Sequence, residues 1–314
     1  MPRIIHQQTG VALVLVLALT ALLTIMAGSY TLSMRRQLDL VRNTRDHSQA
    51  LALAESGLNY AQMMLLVSDL QKRWRTDGTE YKRQFGNGNF KVKIIEETGK
   101  IDINFVELEL LTGLFESIGL EEEQAADIVD AILDWRDEDD LVRLHGAEKD
   151  DYKDEDLPYQ PRNNLFQTIE ELQLVLGVTP EIFGKLEHLL TVYSTIAGID
   201  PTKASRAVLM AIPGVDAQII DTYLLERQTA AENNEPAPVF PAQAGVPFDQ
   251  PAASVYSIEA QGILSSGATA TVFTTIRMPE STARGPFEML SWKKMFGNNQ
   301  HKNTQASQEQ DNQS

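Results

Sequence analysis

Gln8-Thr9-Gly10-Val11-Ala12-Leu13-Val14 stands at the head of a run, Gln7 to Met34, that carries no charged side chain in an otherwise strongly acidic chain. From Val11 to about Tyr30 the run is apolar and close to the roughly 20 residues that a helix needs to cross a bilayer. In a helix every backbone polar group along such a run is satisfied within the segment. The chain is therefore read as membrane-inserted. An ordinary secretory signal has an apolar region of about 7 to 15 residues followed by a small-residue cleavage site. Here the only such candidate, Ala27-Gly28-Ser29, follows a run already long enough to span. The glycine lies before the run instead, so a peptidase working on the cytoplasmic side could remove ten residues and leave the spanning helix attached. Arg3 is the only Lys or Arg before the span, whereas Arg35, Arg36, Arg42 and Arg45 follow it. By the positive-inside tendency that balance favours the opposite orientation.

Helical character continues beyond the span. Leu51, Leu58 and Leu65 recur one heptad apart with Ala54 and Ala61 between them, giving one apolar stripe suited to packing on a sheet. The polar stretch Lys72-Arg73-Trp74-Arg75-Thr76-Asp77-Gly78 ends it. Phe90-Lys91-Val92-Lys93-Ile94 alternates as a half-buried strand does, and Gly99-Lys100 marks a turn toward Ile101-Asp102-Ile103-Asn104, which predicts a short antiparallel hairpin. The same signature returns in Val255 to Ala260 and Ala270 to Ile276, joined across Ser265-Ser266-Gly267, and Phe287 to Trp292 extends that sheet. About 150 residues between the two groups of strands read as helical. The expected fold class is α+β: a long N-terminal transmembrane helix packed on an antiparallel sheet, with a large all-α domain inserted between the strands. A Pro- and Ala-rich segment from about Gln228 to Pro251 reads as a linker back to the sheet, and the Asn- and Gln-rich end from Gly297 onward as disordered.

Within the insertion a helix, a tight Gly-containing turn and a second helix recur. The units run from Asn104 through Gly119 to Ile132, from Leu165 through Gly177 to Leu190, and from Ala204 through Pro213-Gly214-Val215 to Leu225. The third looks like a helix-hairpin-helix, in which backbone N–H groups at a helix start can hold a phosphate. Non-specific DNA affinity depends on basic side chains, and Lys203, Arg206 and Arg227 are offset by Asp200, Asp216, Asp221 and Glu226. The bland reading, helix packing through a Gly turn, is preferred, and no nucleic acid is expected as a partner.

The most chemical-looking stretch is Asp134-Trp135-Arg136-Asp137-Glu138-Asp139-Asp140, followed by His145-Gly146-Ala147-Glu148-Lys149-Asp150-Asp151-Tyr152. Two like charges about 4 Å apart at an effective dielectric near 20 cost about 4 kcal/mol. A folded loop of this kind favours a hard cation, and oxygen-only ligation selects calcium. The alternative is a solvated acidic surface, the usual fate of a charge run. It is not an EF-hand, because a loop beginning at Asp137 has Val142 where the turn glycine belongs. Trp135 and the Gly146-Ala147 turn favour a folded loop.

Composition narrows the class. The 314 residues carry a net charge of −17 and no cysteine, which argues against broad binding to nucleic acid or anionic membrane and excludes disulfides and thiolate chemistry. There is no Gly-x-Ser-x-Gly elbow, no His-Glu-x-x-His and no phosphate loop. No enzyme is expected.

The N-terminal junction resembles the class III signal of type IV pilins and type II secretion pseudopilins. That resemblance implies cleavage by prepilin peptidase after Gly10 and methylation of Val11 as the mature N-terminus. Most pilins carry Glu at the fifth mature position; here it is Leu15, a departure typical of the K-type minor pseudopilin, also called general secretion pathway protein K. The interrupted sheet is similar to that family nearly throughout, up to about Phe296. The acidic stretch resembles the family's Asp-Trp-x-Asp-x-Asp and Gly-Ala-Glu-x-Asp-x-Tyr pair, which implies calcium held by Asp137, Asp139, Glu148 and Asp151, with Asp134 and Asp150 as further candidates. The expected organisation is a leader at 1–10, a transmembrane helix at 11–30 and its continuation at 31–71. The pilin-like sheet then occupies 72–104 and 251–296, the insertion 105–250 and a tail 297–314.

The resemblance further implies a minor pseudopilin at the pseudopilus tip. It would initiate or cap assembly with the I-type and J-type minor pseudopilins on the inner-membrane secretion platform. The chain would cross the bacterial inner membrane once, with its C-terminal domain in the periplasm. The competing readings are a tip or priming minor pilin of a type IV pilus and a membrane-anchored helix-hairpin-helix DNA-binding protein.

Overall fold

The computed structural model describes residues 11–69, 71–241, 248, 254–279 and 285–297. The expected leader at 1–10 and the expected tail beyond Gly297 lie outside them. Helix α1 runs unbroken over Val11–Leu65, roughly 80 Å at about 1.5 Å per residue. Its apolar side chains from Leu13 to Val41 are exposed. That exposure is costly in water and natural in a bilayer. From Ala50 onward one face turns inward: Ala50, Leu53, Ala54, Leu58, Ala61 and Leu65 are buried. This includes Leu58 and Leu65 of the heptad stripe, while Leu51 packs at its margin.

The face lies on a five-stranded antiparallel sheet of β1 (Asp77–Phe85), β2 (Gly88–Glu96), β5 (Val255–Leu264), β6 (Thr269–Arg277) and β7 (Glu288–Gly297), in that spatial order. Small residues let helix and sheet meet closely. A Cβ on Gly262 would fall 2.0 Å from the Ala50 carbonyl oxygen, so α1 and β5 touch backbone to backbone there. The core between them holds Phe90, Val92, Ile94, Ile258, Val272 and Ile276.

β2 and β5 pair directly, with Ile94 opposite Ile258 and Val92 opposite Ala260. The chain therefore leaves the sheet after β2, builds a separate body, and returns to the strand position beside its exit. The body contains β3 (Ile101–Asp102), α2 (Leu108–Ser117), α3 (Glu122–Arg136), α4 (Lys149–Asp154), α5 (Pro180–Leu186), β4 (Leu190–Thr191), α6 (Arg206–Leu209) and α7 (Ala217–Glu232). Its own core includes Leu111, Phe115, Ile132, Trp135, Tyr152 and Leu172.

Two buried carboxylates at the exit hold the bodies together. Glu97 accepts from Lys100 Nζ at 2.7 Å and from Ser257 Oγ on β5 at 2.5 Å, and also from the Thr191 hydroxyl of the insertion. Glu96 accepts from Thr76 Oγ1 at 2.9 Å and lies 3.6 Å from Lys203 Nζ.

Several expectations need correction. The helix ends at Leu65, short of residue 71, where turns close around Asp69, whose Oδ1 takes the Gln71 N–H at 3.0 Å. β2 forms its hairpin with β1, across Gly86 at φ +57, and not with Ile101 to Asn104. β1 and β5 already occupy both edges of β2. A 3₁₀ turn over Glu97–Gly99 throws the next residues into a parallel pairing with β4. The insertion is also less helical than expected: the first half of the second unit is a 3₁₀ segment, Ile169–Leu174, and α6 is a single turn. Conversely, α7 runs to Glu232, through the start of the presumed linker.

Candidate functional site

The acidic stretch forms a folded loop between α3 and α4. Helix α3 delivers Asp134 fully buried on its last turn, and Asp137 is the C-cap in extended backbone. Arg136 anchors the helix end by donating to the carbonyls of Ile103 and Val106, the latter at 3.0 Å. An aromatic floor lies beneath: Trp135 packs against Tyr152 and Phe166 at ring separations of 5.9 and 6.1 Å. The Tyr152 hydroxyl accepts the Leu176 N–H at 3.1 Å.

Arg143 folds the loop back. Its Nε lies 3.0 Å from Asp134 Oδ1 and its Nη2 lies 2.8 Å from Asp137 Oδ2, while its backbone N–H donates to Asp134 Oδ2 at 3.2 Å. His145 donates its backbone N–H to Asp130 at 3.1 Å and sets Nδ1 3.2 Å from Asp127. Gly146 then passes against the Asp134 carboxylate, where no side chain fits. α4 starts as its N-cap Glu148 donates a backbone N–H to Asp151 Oδ2 at 2.8 Å.

The arrangement is electrostatically unfinished. Asp137 Oδ1 and both carboxylate oxygens of Glu148 are buried without a hydrogen bond, and Asp134 Oδ1 has only its ion pair with Arg143. Glu148 is 4 % exposed. Burial first, and then the charges of Asp134, Asp137, Asp140 and Asp139, push its carboxyl up to about 7. Burial likewise raises Asp134. A buried unpaired carboxylate is unfavourable until protonated or paired with a cation. An all-oxygen donor set fits a hard divalent ion such as calcium. Among the described residues, no group of three or more His, Asp and Glu side chains converges so as to hold a metal ion in this conformation.

The predicted residues divide by role. Asp134, Asp137 and Glu148 share one field. Asp139 is close enough to raise Glu148, with its own Oδ1 accepting the Leu141 N–H at 2.9 Å. Asp151 is spent on the start of α4, and Asp150 is exposed on it. Asp140 belongs to the same field and was not singled out by motif matching; its adjacency to Asp139 is the available signal. Arg143, which orders the loop, carries no sequence signal.

Elsewhere, Gly10 lies outside the described residues and Val11 opens α1. Leu15 stands on the exposed apolar part of that helix. In the third helical unit Arg206 is paired with Asp221 at 2.6 Å and Lys203 turns inward to Thr76 at 3.3 Å. Arg227 is buried, donating to the carbonyls of Pro201 and Ala204. None of the three is presented as a row facing a duplex.

A long helix, exposed and apolar over its N-terminal part and laid from Ala50 onward on an antiparallel sheet, is consistent with a single-pass anchored subunit of the pilin class. Residues 92–195 match the family model for type II secretion system protein K. A putative type II secretion system protein K of Escherichia coli is 28% identical over 210 residues, 60% of this chain and 64% of that protein. The type II secretion system protein K of Klebsiella pneumoniae is 25% identical over 72% of this chain and 76% of its own length. That of Pseudomonas aeruginosa is 25% identical over 68% and 72%. A chain in the crystal structure of the GspK-GspI-GspJ complex from enterotoxigenic Escherichia coli has the same fold. It aligns with a TM-score of 0.57 and 18% identity over 82% of this chain and 99% of its own. The chain is thus similar to type II secretion system proteins K, at 25–28% identity over 60–72% of its length.

Proposed function

We propose that the chain is the minor pseudopilin at the tip of a type II secretion pseudopilus, where it initiates or caps assembly with the I-type and J-type minor pseudopilins. The observation that supports this most is the interrupted sheet. The same fold occurs in a chain from a complex of three such proteins, and the alignment runs through the inserted body. Leu15 fits that placement, because a subunit with nothing above it has no N-terminal amine to neutralise, and an unpaired carboxylate in the bilayer is expensive. α1 anchors the chain once in the inner membrane after prepilin peptidase cuts behind Gly10 and Val11 is methylated. The folded part then lies in the periplasm.

The acidic loop is proposed as a structural calcium site. Asp137 and Glu148 would hold the ion through their unpartnered oxygens, with Asp134, now paired with Arg143, and Asp139 completing the donor charge. The ion would neutralise the loop; the chain's own residues shape it. Affinity on the order of 10⁻⁴ to 10⁻³ M is expected, as in extracellular calcium modules.

The test is to co-extract the full-length chain with the I-type and J-type pseudopilins of its own organism and measure complex mass by light scattering. A stable heterotrimer supports the tip role. Three separate species would return the reading to a type IV pilus minor pilin.

A further inference from the structure

A cleft of about 460 Å³ opens along the seam between the sheet and the inserted body. The sheet side contributes Arg73, Arg75 and Asp77 from the approach to β1, with Glu96 from the end of β2. The inserted body contributes Lys203 and, from α7, Arg227. In a chain of net charge −17 the described lining is cationic: with Glu235 at its margin, four cations face three carboxylates among the described residues.

The cations are not equivalent. Arg75 is paired with Asp77, and Lys203 leans on Glu96 at 3.6 Å. Arg227 is 9 % exposed and, among the described residues, has no carboxylate within ion-pair distance; its Nη1 donates to the Pro201 and Ala204 carbonyls at 2.8 Å each. Its Nε and Nη2 have no protein partner among those residues. Arg73 uses only Nε, donating to the Val67 carbonyl at 2.8 Å, which leaves both terminal nitrogens without one. Asp77 and Asp200 act on the Arg227 guanidinium from beyond ion-pair distance, so its desolvation is offset only in part and a carboxylate in direct contact would add to that offset.

We propose that this cleft binds a single carboxylate carried on a peptide, an acidic side chain or chain end of a partner protein. Guanidinium groups match the planar carboxylate in a bidentate fork. The net excess of one positive charge suits a monoanion better than a phosphate dianion. Leu65, Trp74, Ala231, Ala237 and Tyr256 give the cleft apolar wall for the carbon skeleton beside that charge. Because Arg73 belongs to the sheet side and Arg227 to the inserted body, one bound carboxylate ties the two bodies together. The inference rests neither on the tip role nor on calcium.

The full-length chain in detergent is titrated calorimetrically, at constant ionic strength, with an acetylated alanine-alanine-leucine peptide bearing a free C-terminal carboxylate, with its C-terminal amide, and with inorganic phosphate. The acid should bind at least about tenfold tighter than the amide. Arg73→Gln should abolish that preference without moving the melting temperature, and Arg227→Lys should reduce it. Arg227 also secures two carbonyls, so if its variant fails to fold, Arg73→Gln decides alone. No heat from the acid up to millimolar concentration, equal affinity for acid and amide, or a preference that survives Arg73→Gln overturns the proposal. Tighter binding of phosphate than of the acid overturns the carboxylate assignment.

Discussion

The Cβ that Gly146 lacks would fall 1.9 Å from Oδ2 of Asp134. The loop returns across the end of α3 so closely that the backbone of one residue is seated on the buried carboxylate of another, and Arg143 can reach Asp134 and Asp137 only from that path. Gly146→Ala should therefore cost on the order of 2 kcal/mol or more by displacing a buried charge. Calorimetric melting measures the loss. A variant that melts with the wild type would mean the loop can lift without consequence for the fold.

Calcium is tested by separating charge from shape. Removing the Glu148 charge with Glu148→Gln relieves repulsion from four neighbouring aspartates, so in chelator the variant should melt at or above the wild-type temperature. Added calcium should stabilise the wild type. At about a hundredfold excess over Kd the gain is about 2.7 kcal/mol. The glutamine variant should gain little. Equal calcium responses in the two proteins would remove Glu148 from the ligand set, and no response in either would remove the site.

The chelated protein should also show an inverted acid response at this loop. Glu148 rises from an ordinary 4.5 to about 7 in the folded chain. Between those values the native state holds more protons than the unfolded state, so this group's contribution is full below about 4.5 and lost as pH rises through 7. In Glu148→Gln that component of the pH dependence should vanish. A wild-type profile identical to the variant's across the window would contradict the burial of this carboxyl.

Much of the architecture was legible because periodic burial produces it. The heptad of Leu51, Leu58 and Leu65 marks the face of α1 that meets the sheet, and β5 alternates buried and half-buried side chains as its sequence does. β1 escaped notice because it is an edge strand: Tyr81 is half-buried, Lys82 to Phe85 are exposed, and charge along an edge discourages further pairing. The partner of β3 is not legible locally, because Ile101 and Asp102 pair with Leu190 and Thr191, a distant contact that no local pattern encodes. In the loop, the carboxylates were visible as a motif. Their division into unpartnered oxygens, a helix start and an exposed Asp150 depends on how Arg143 folds the chain.

The contact of α1 with β5 makes the pilin-type half of the molecule testable apart from the insertion. At Gly262 a Cβ would meet the Ala50 carbonyl oxygen at 2.0 Å and the Ala54 nitrogen at 2.7 Å. These are helix backbone atoms, which cannot rotate aside as a side chain can, so Gly262→Val must push α1 off the sheet. The expected loss is on the order of 3 kcal/mol or more. The core around Trp135 and Leu172 is a separate cluster and should stay packed. Hydrogen exchange measures the distinction: amides of β2 and β5 should lose protection while those of α3 keep theirs. Uniform loss over both would show instead that the buried contacts of Glu97 with Lys100, Ser257 and Thr191 weld the two bodies into one cooperative unit.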